Sequence, residues 1–590
     1  MPSFSRIALL FAAAIAASAG AAASGCGSDN GGSTFDSGTD DGGGGGSGND
    51  APYVDDAPTI APDGPYNDFP KDPIIDGQSP ASSGTLFGGA TAASGGGPCL
   101  LEPEIGSMFP KNWVRPRFRW IAVNGLADAG GGRVGDAGPG GNLFELRIHA
   151  DNQVNDLVVY TSGSSWTMPK DMWEGLRNHS AGVGMTVSLK GGTFDGAKLD
   201  GVAQGASGPI TIAPVDAPGT IVYWTTTSGG PSDAGGYNPV LKGFKVGDES
   251  VQDVLRPSQI QVADGGAPYH CVGCHSSTPD GNYAAVSVRP GYQGGPPTGV
   301  ALRGVDGGAS APSFVTQEAQ SLLDRADQSE PVFTKAHWAP GDRVAVSMLS
   351  LAGLNGPYEI AWTDLETTST QKDVGWGIVQ RTGDARHPAG AALSHDGKTI
   401  VYVSSDDVDT AGNIVTSGEI WTVPYGDRKG GAASALQGAN APSSKQYYPS
   451  FSPDDRFVTF SRSPAGTSSY DDPKGEVYVV PAGGGDAQRL TANDPPACSG
   501  ATSPGVYNSW PKWSPAVRTV GDKSYYFIVF SSARNHGTER FGARLYVTPV
   551  VVQGATITTY AALYLWNQPE NEDNHSPAWD EFQIPPPNVK

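Results

Sequence analysis

The chain has 590 residues, with 60 acidic against 38 basic side chains and a formal charge of −22. That balance argues against nucleic acid and anionic lipid headgroups as partners, since both need cationic patches. The 82 glycines and 48 prolines, with few long helical periodicities, point to strands and turns.

At the N-terminus, Arg6 precedes an apolar run from Ile7 to about Ala19. The run is too short for a mature membrane span and has the build of a signal h-region. It ends in Ala23-Ser24-Gly25-Cys26, which resembles a bacterial lipobox. Residues 1–25 are then a lipoprotein signal peptide, and Cys26 carries lipid. An ordinary signal peptide with a chance cysteine is the plainer alternative. No later stretch approaches the roughly 18 apolar residues of a span. The expected location is the cell envelope of a Gram-negative bacterium: an exported chain held at the outer membrane through lipid on Cys26, facing periplasm or cell surface.

Residues 26–98 are dominated by Gly, Ser, Asp, Ala, Thr and Pro, with a pure glycine run from Gly42 to Gly46. Such a segment buries too little apolar area to offset chain entropy, which predicts a disordered tether. The remaining stretch of about 490 residues is long enough for two or more domains.

Residues 99–215 carry short strand candidates: Phe118–Ile121, Leu143–Ile148, Leu157–Tyr160, Met185–Leu189 and Ile210–Ile212. With Trp166 and Trp173 available for a core, they predict a small β-sandwich resembling a fibronectin type III or immunoglobulin-like module. The Asp-Ala-Gly-Gly stretch around 128–141 lacks a calcium-loop spacing and reads as a solvated insert. His149 and His179 in this block need no functional explanation.

From 218 to 590 a repeat organises the chain. Its clearest copy runs Pro449-Ser450-Phe451-Ser452-Pro453-Asp454 into the strand Phe457–Phe460, followed by Glu476–Val480 and Gln488–Thr491. Proline presets the first turn dihedral, and aspartate bonds back to nearby amides. Related copies begin at Ser277, Trp338, Leu393 and Pro511, at intervals of roughly 55 to 65 residues. A half copy, Pro577-Ala578-Trp579, closes the chain. Its missing strands stand upstream at Ile221–Thr226, Val240–Val246 and Val251–Leu255. Pairing them removes both edges and predicts an all-β fold with a six-bladed β-propeller.

Where the propeller opens, the chain reads Cys271-Val272-Gly273-Cys274-His275. Two thiols two residues apart, then histidine, spell the motif for covalent haem c attachment, with His275 as proximal iron ligand. Two other chemistries compete for it. One is a Cys271–Cys274 disulfide, structural or redox-active. The other is a metal site using His270, Cys271, Cys274 and His275. Cys99 and Cys498 remain, and in an oxidising compartment a disulfide between them is one open use.

The Ser-Pro-Asp-Gly turns of residues 218–590 resemble those of the TolB-like six-bladed β-propellers, a likeness specific for architecture and weak for function. The lipobox and the preceding block depart from TolB. Cys271, Cys274, His275, Pro279, Asp280 and Gly281 are together similar to exported propeller proteins whose Cys-x-x-Cys-His runs into a Pro-Asp-Gly turn, which implies haem binding. Aligned on the turns, His275 stands where Pro449 stands, and His575 lies just ahead of Pro577. Closure of the ring makes His575 the first choice for a distal iron ligand, with His337, His387 and Met348 behind it. The plainer use of each is ordinary hydrogen bonding or packing.

No Gly-x-Ser-x-Gly elbow occurs, and no phosphate-binding glycine motif follows a strand and opens a helix. The leading expectation is a propeller-mounted haem c for electron transfer or redox sensing, facing a redox partner. The alternative is a non-enzymatic TolB-like scaffold binding an envelope protein or glycan without haem.

Overall fold

In a computed structural model of the chain, residues 64–93, 96–122, 141–226, 239–260, 269–290, 299–306, 311–325, 328–351, 358–408, 412–534, 542–570 and 572–584 are described. Cys26, the signal segment, residues 26–63 of the expected tether and most of the 128–141 insert lie outside them.

The fold is all-β and propeller-like. Its N-terminal part has two sheets. Six strands order as Ile74–Asp76, Leu157–Thr161, Leu143–Ala150, Met185–Phe194, Leu199–Ile212 and Met108–Phe109. A second sheet joins Cys99–Glu102, Arg117–Ile121 and Ser165–Thr167. Phe118, Trp120 and Trp166 of the small sheet share one core with Leu146, Val159, Val187 and Ile210 of the large one.

Two features depart from expectation. Residues 64–93 are not tether. Phe69 is buried in the shared core, Ile74–Asp76 adds a parallel strand beside Leu157–Thr161, and Asp68 bonds His179 and Gln153. The average composition of 26–98 hides these few apolar anchors. A helix, Lys170–His179, also interrupts the strands; it starts straight after Pro169 and buries Trp173 and Leu176, one turn apart.

Six antiparallel meanders follow among the described residues. Their first strands are Tyr269–Ser277, Gln328–Val332, His387–Leu393, Ser444–Phe451, Ser509–Trp513 and Asp573–Asp580. The last is completed by strands from the other end of the sequence, in the order Asp573–Asp580, Thr220–Thr226, Val240–Lys245, Gln252–Leu255. Each first strand touches the next one, and Asp573–Asp580 touches Tyr269–Ser277.

The repeated turns share one bonding pattern. Thr278, Ser394 and Ser452 donate their hydroxyls to Asp280, Asp396 and Asp454. The same carboxylates accept from the amides of Asn282, Lys398 and Arg456. Gly281 needs its freedom: its φ is 71°, and a Cβ there would stand 1.8 Å from the carbonyl oxygen of Glu581. The Gln583 amide donates to the Gly281 carbonyl across the same seam.

The core does not break between the two parts. Tyr223, Phe527, Val547 and Trp579 join the N-terminal cluster. Arg534 donates to Glu104 at 2.8 Å with both side chains buried. Cys99 and Cys498 are joined by a disulfide.

Candidate functional site

Each first strand carries a bulge. Register shifts fall at Gly273/His275, Ser329/Val332, Ala389/Ala392, Tyr447/Ser450 and Ser509/Lys512, and the Asp573–Asp580 strand skips between His575 and Ala578. The bulged residue is left-handed in five of them: Glu330, Gly390, Tyr448, Trp510 and Ser576, with φ between 46° and 53°. Pro331, Pro449, Pro511 and Pro577 follow directly. Proline suits that position because a bulge strands one amide, and proline has none to strand. In the first strand Cys274 and His275 take these two places.

Cys274 is buried and disulfide-bonded. Cys99 and Cys498 hold each other, which leaves Cys26 and Cys271 in the sequence as its partner. The side chains of His270 and Cys271 lie outside the described residues. Cys274 Sγ also receives the Asn413 amide at 3.7 Å. That contact bridges the first strand to a loop of the third meander.

His275 has no solvent exposure. Its Nε2 lies 3.3 Å from the carbonyl oxygen of Val222. A carbonyl only accepts, so Nε2 carries the proton. Burial pushes the pKa down to about 4, the Val222 bond opposes that, and the Lys512 charge adds to it. The imidazole is neutral at pH 7 and is wedged against the Thr220–Thr226 strand.

His575 stands beside the same strand, in register with Trp224. Its ring meets Trp224 edge-on at 4.6 Å and Trp510 at 5.2 Å. The structure therefore brings His275 and His575 to positions two residues apart along one strand, with Val222 under one and Trp224 under the other. The other candidate ligands go elsewhere. His337 Nδ1 bonds Asp342, Met348 is buried among Val346, Ile360 and Tyr358, and His387 begins the first strand of the third meander.

Two loops bend inward beside this cluster, each joining the second and third strands of a meander. One follows Ser405, the other Pro464. Gly412 accepts from the Gly390 amide, and Val415 and Thr416 pair with Ser469 and Gly466. The second loop is pinned by Lys445, a buried cation bonded to Thr467 and Asp472. It sets Tyr470 edge-on to Trp510 at 5.5 Å and carries Asp471 at φ 49°. Tyr448 stacks on Trp510 from the other side at 5.3 Å.

Sequence reasoning missed Tyr448, Trp510, Asn413, Tyr470 and Asp471. A signal existed for the first two, since a large residue precedes proline in both first strands. The loop residues carry no pattern.

The described geometry does not present His275 to a haem. Its Nε2 faces a main-chain carbonyl and its ring has no open face. Attachment would also need the Cys274 thiol released from its disulfide. These residues as arranged do not fit the group, and they support no chemical step through it. Among the described residues no group of three or more His, Cys, Asp or Glu side chains is placed to hold a metal ion.

No family model matches the chain, and no curated protein matches it. Among solved structures, a TolB from Agrobacterium tumefaciens is similar at 14% identity, covering 61% of this chain and 97% of that one, with a TM-score of 0.31. A nidogen/laminin complex is similar at 10% identity over 61% and 98%, with a TM-score of 0.32.

Proposed function

We propose that the chain is an exported, lipid-anchored envelope protein whose six meanders close into a six-bladed propeller, fused to a β-sandwich. It works as a non-enzymatic scaffold that binds its partner at the end of the ring where the inward loops lie. The observation that carries this reading is the cyclic order of the first strands, completed by pairing of Asp573–Asp580 with Thr220–Thr226. Such a ring leaves only short strand edges at its centre and rim and presents its loops at two ends. Here one end bears tight Asp-capped turns. The other bears the longer loops that hold Asn413 and Tyr470.

In this reading Cys271 and Cys274 form a short oxidised loop, and His275 is a neutral wedge at the closing seam. The rival is haem c on Cys271 and Cys274, with His275 and His575 as iron ligands; the motif itself favours it. One experiment separates the two. The full chain is expressed in a host with c-type maturation machinery, and its intact mass and pyridine haemochrome spectrum are recorded. The scaffold reading expects no haem-sized increment and a mass lower by the hydrogens of two disulfides. A haem increment that disappears in Cys271→Ser would overturn it.

A further inference from the structure

Five of the six first strands settle their bulge with backbone chemistry. Proline follows the bulged residue in four of them, and the fifth places glycine there, Gly390. The strand Tyr269–Ser277 has neither, because Cys274 and His275 fill those two places. It has a covalent bond instead, the disulfide on Cys274.

This strand is irregular in a second way. The other first strands each show one register shift against their neighbour in the meander. Tyr269–Ser277 shows two, at Tyr269/Cys271 and at Gly273/His275, and they bracket the run from Cys271 to Cys274. Spacing accounts for the extra one. Three residues of regular strand advance about 10 Å, whereas the Cα atoms of a disulfide pair stand within about 7 Å. With Cys271 as partner, the run has to be drawn in, at the expense of the ladder. A bond that works against its own strand is of the reducible kind.

The same bulge is tied to the inward loops. Asn413 donates its side-chain amide to Cys274 Sγ at 3.7 Å. The loop that carries Asn413 is stitched to the next one. The Val415 amide donates to Ser469 Oγ, the Ser469 amide to the Val415 carbonyl, and the Gly466 amide to the Thr416 carbonyl. A change at Cys274 therefore reaches both loops through one side chain.

We infer that the Cys271–Cys274 disulfide is a redox latch on the loop end of the ring. Closed, it holds the bulge and the Asn413 loop; opened by a dithiol, it lets the run extend and loosens both loops. This adds regulation to the partner face of the scaffold reading and rests on that reading's oxidised, haem-free loop. In the opening step a thiolate of the dithiol attacks one sulfur, giving a mixed disulfide. The second thiol of the donor then displaces that sulfur. The donor leaves as a disulfide, and its two electrons and two protons stay on the cysteines as thiols. Cys274 is 2% exposed, so exchange passes through local opening of the strand, and the equilibrium is the quantity to read.

The test equilibrates the full chain without oxygen across ratios of reduced to oxidised dithiothreitol. Samples are alkylated and digested, and peptide masses give the state of each cysteine pair. Parallel samples are read by hydrogen exchange. Cys271 and Cys274 should be half-reduced at a ratio roughly tenfold or more below that for Cys99 and Cys498. At that ratio peptides covering 412–416 and 466–470 should exchange roughly tenfold faster, with Phe457–Pro464 unchanged. Cys274→Ser should show the fast loops without reductant; if that variant does not fold, the wild-type titration decides alone. Reduction of both pairs at the same ratio, or a reduced Cys271–Cys274 pair with loop exchange unchanged, would overturn the latch. Failure of the scaffold reading looks different: the peptide carrying Cys271–His275 would hold a haem-sized mass. An oxidised, haem-free pair whose reduction leaves the loops unmoved refutes the latch alone.

Discussion

Acidification should destabilise the protein through His275, by an amount the structure sets. The imidazole is buried, and burial lowers its pKa from 6.5 to about 4, with the Lys512 charge acting in the same direction. In the unfolded chain the ring takes its proton near pH 6.5; in the folded protein it resists down to about 4. The stability it contributes is complete above pH 6.5, declines as pH falls through that window, and is lost below about 4. The full penalty is about 3 kcal/mol, and about 2 kcal/mol of it falls between pH 7 and 4.5. Other groups titrate over the same range, so the assay compares wild type with His275→Gln. Glutamine keeps an N–H for the Val222 carbonyl and does not titrate. Urea denaturation of both proteins at the two pH values, followed by tryptophan fluorescence, should show wild type losing about 2 kcal/mol more than the variant. Equal losses would refute the wedge: His275 would then be either exposed or held by something other than the Val222 carbonyl.

Three further outcomes depend on named contacts. Cys99→Ser opens a disulfide spanning 399 residues of sequence, and should cost about 2–5 kcal/mol by denaturant melting, with at least that loss on reduction of the wild type, which also opens the Cys274 disulfide. Arg534→Met leaves Glu104 buried without its cation and should cost about 3–5 kcal/mol. Pairing it with Glu104→Leu should recover much of that, because replacing both charges removes the stranded one. Gly281→Ala forces a left-handed alanine into the Glu581 carbonyl and should cost about 1–3 kcal/mol more than Gly521→Ala, where φ is 59° but the space is open. Thermal midpoints of the two variants decide it.

Much of the frame was legible in the sequence because its signals are local. The Ser-Pro-Asp and Ser-His-Asp turns need particular side chains at fixed offsets, and those side chains make the same bonds at Asp280, Asp396 and Asp454. The lone Pro577-Ala578-Trp579 was legible as an unfinished meander because its missing strands stood upstream. Residues 64–93 were not legible, since a few anchors such as Phe69 decide their fate while the average composition says tether. The site was the least legible part. The bulges break the period-two pattern where Cys274, Tyr448 and Trp510 stand, so their direction cannot be read from alternation. Asn413, Tyr470 and Asp471 reach the cluster from loops whose path is set by distant partners such as Lys445. For the Cys271–His275 motif, the spelling allowed three chemistries. The geometry adds that His275 stands at a proline position of a bulged strand, facing a carbonyl.

The central claim is that the C-terminal strand closes the ring by pairing with Thr220–Thr226. Hydrogen exchange of the full chain at neutral pH, read by mass spectrometry over peptides covering 220–226 and 573–580, tests it directly. Closure predicts that 220–226 is protected as strongly as Phe457–Pro464 and Lys523–Ser532 in the interior of their sheets, and 573–580 as strongly as Ser444–Phe451, a first strand like it. Rapid exchange of 573–580, with 220–226 behaving as an unpaired edge, would contradict it.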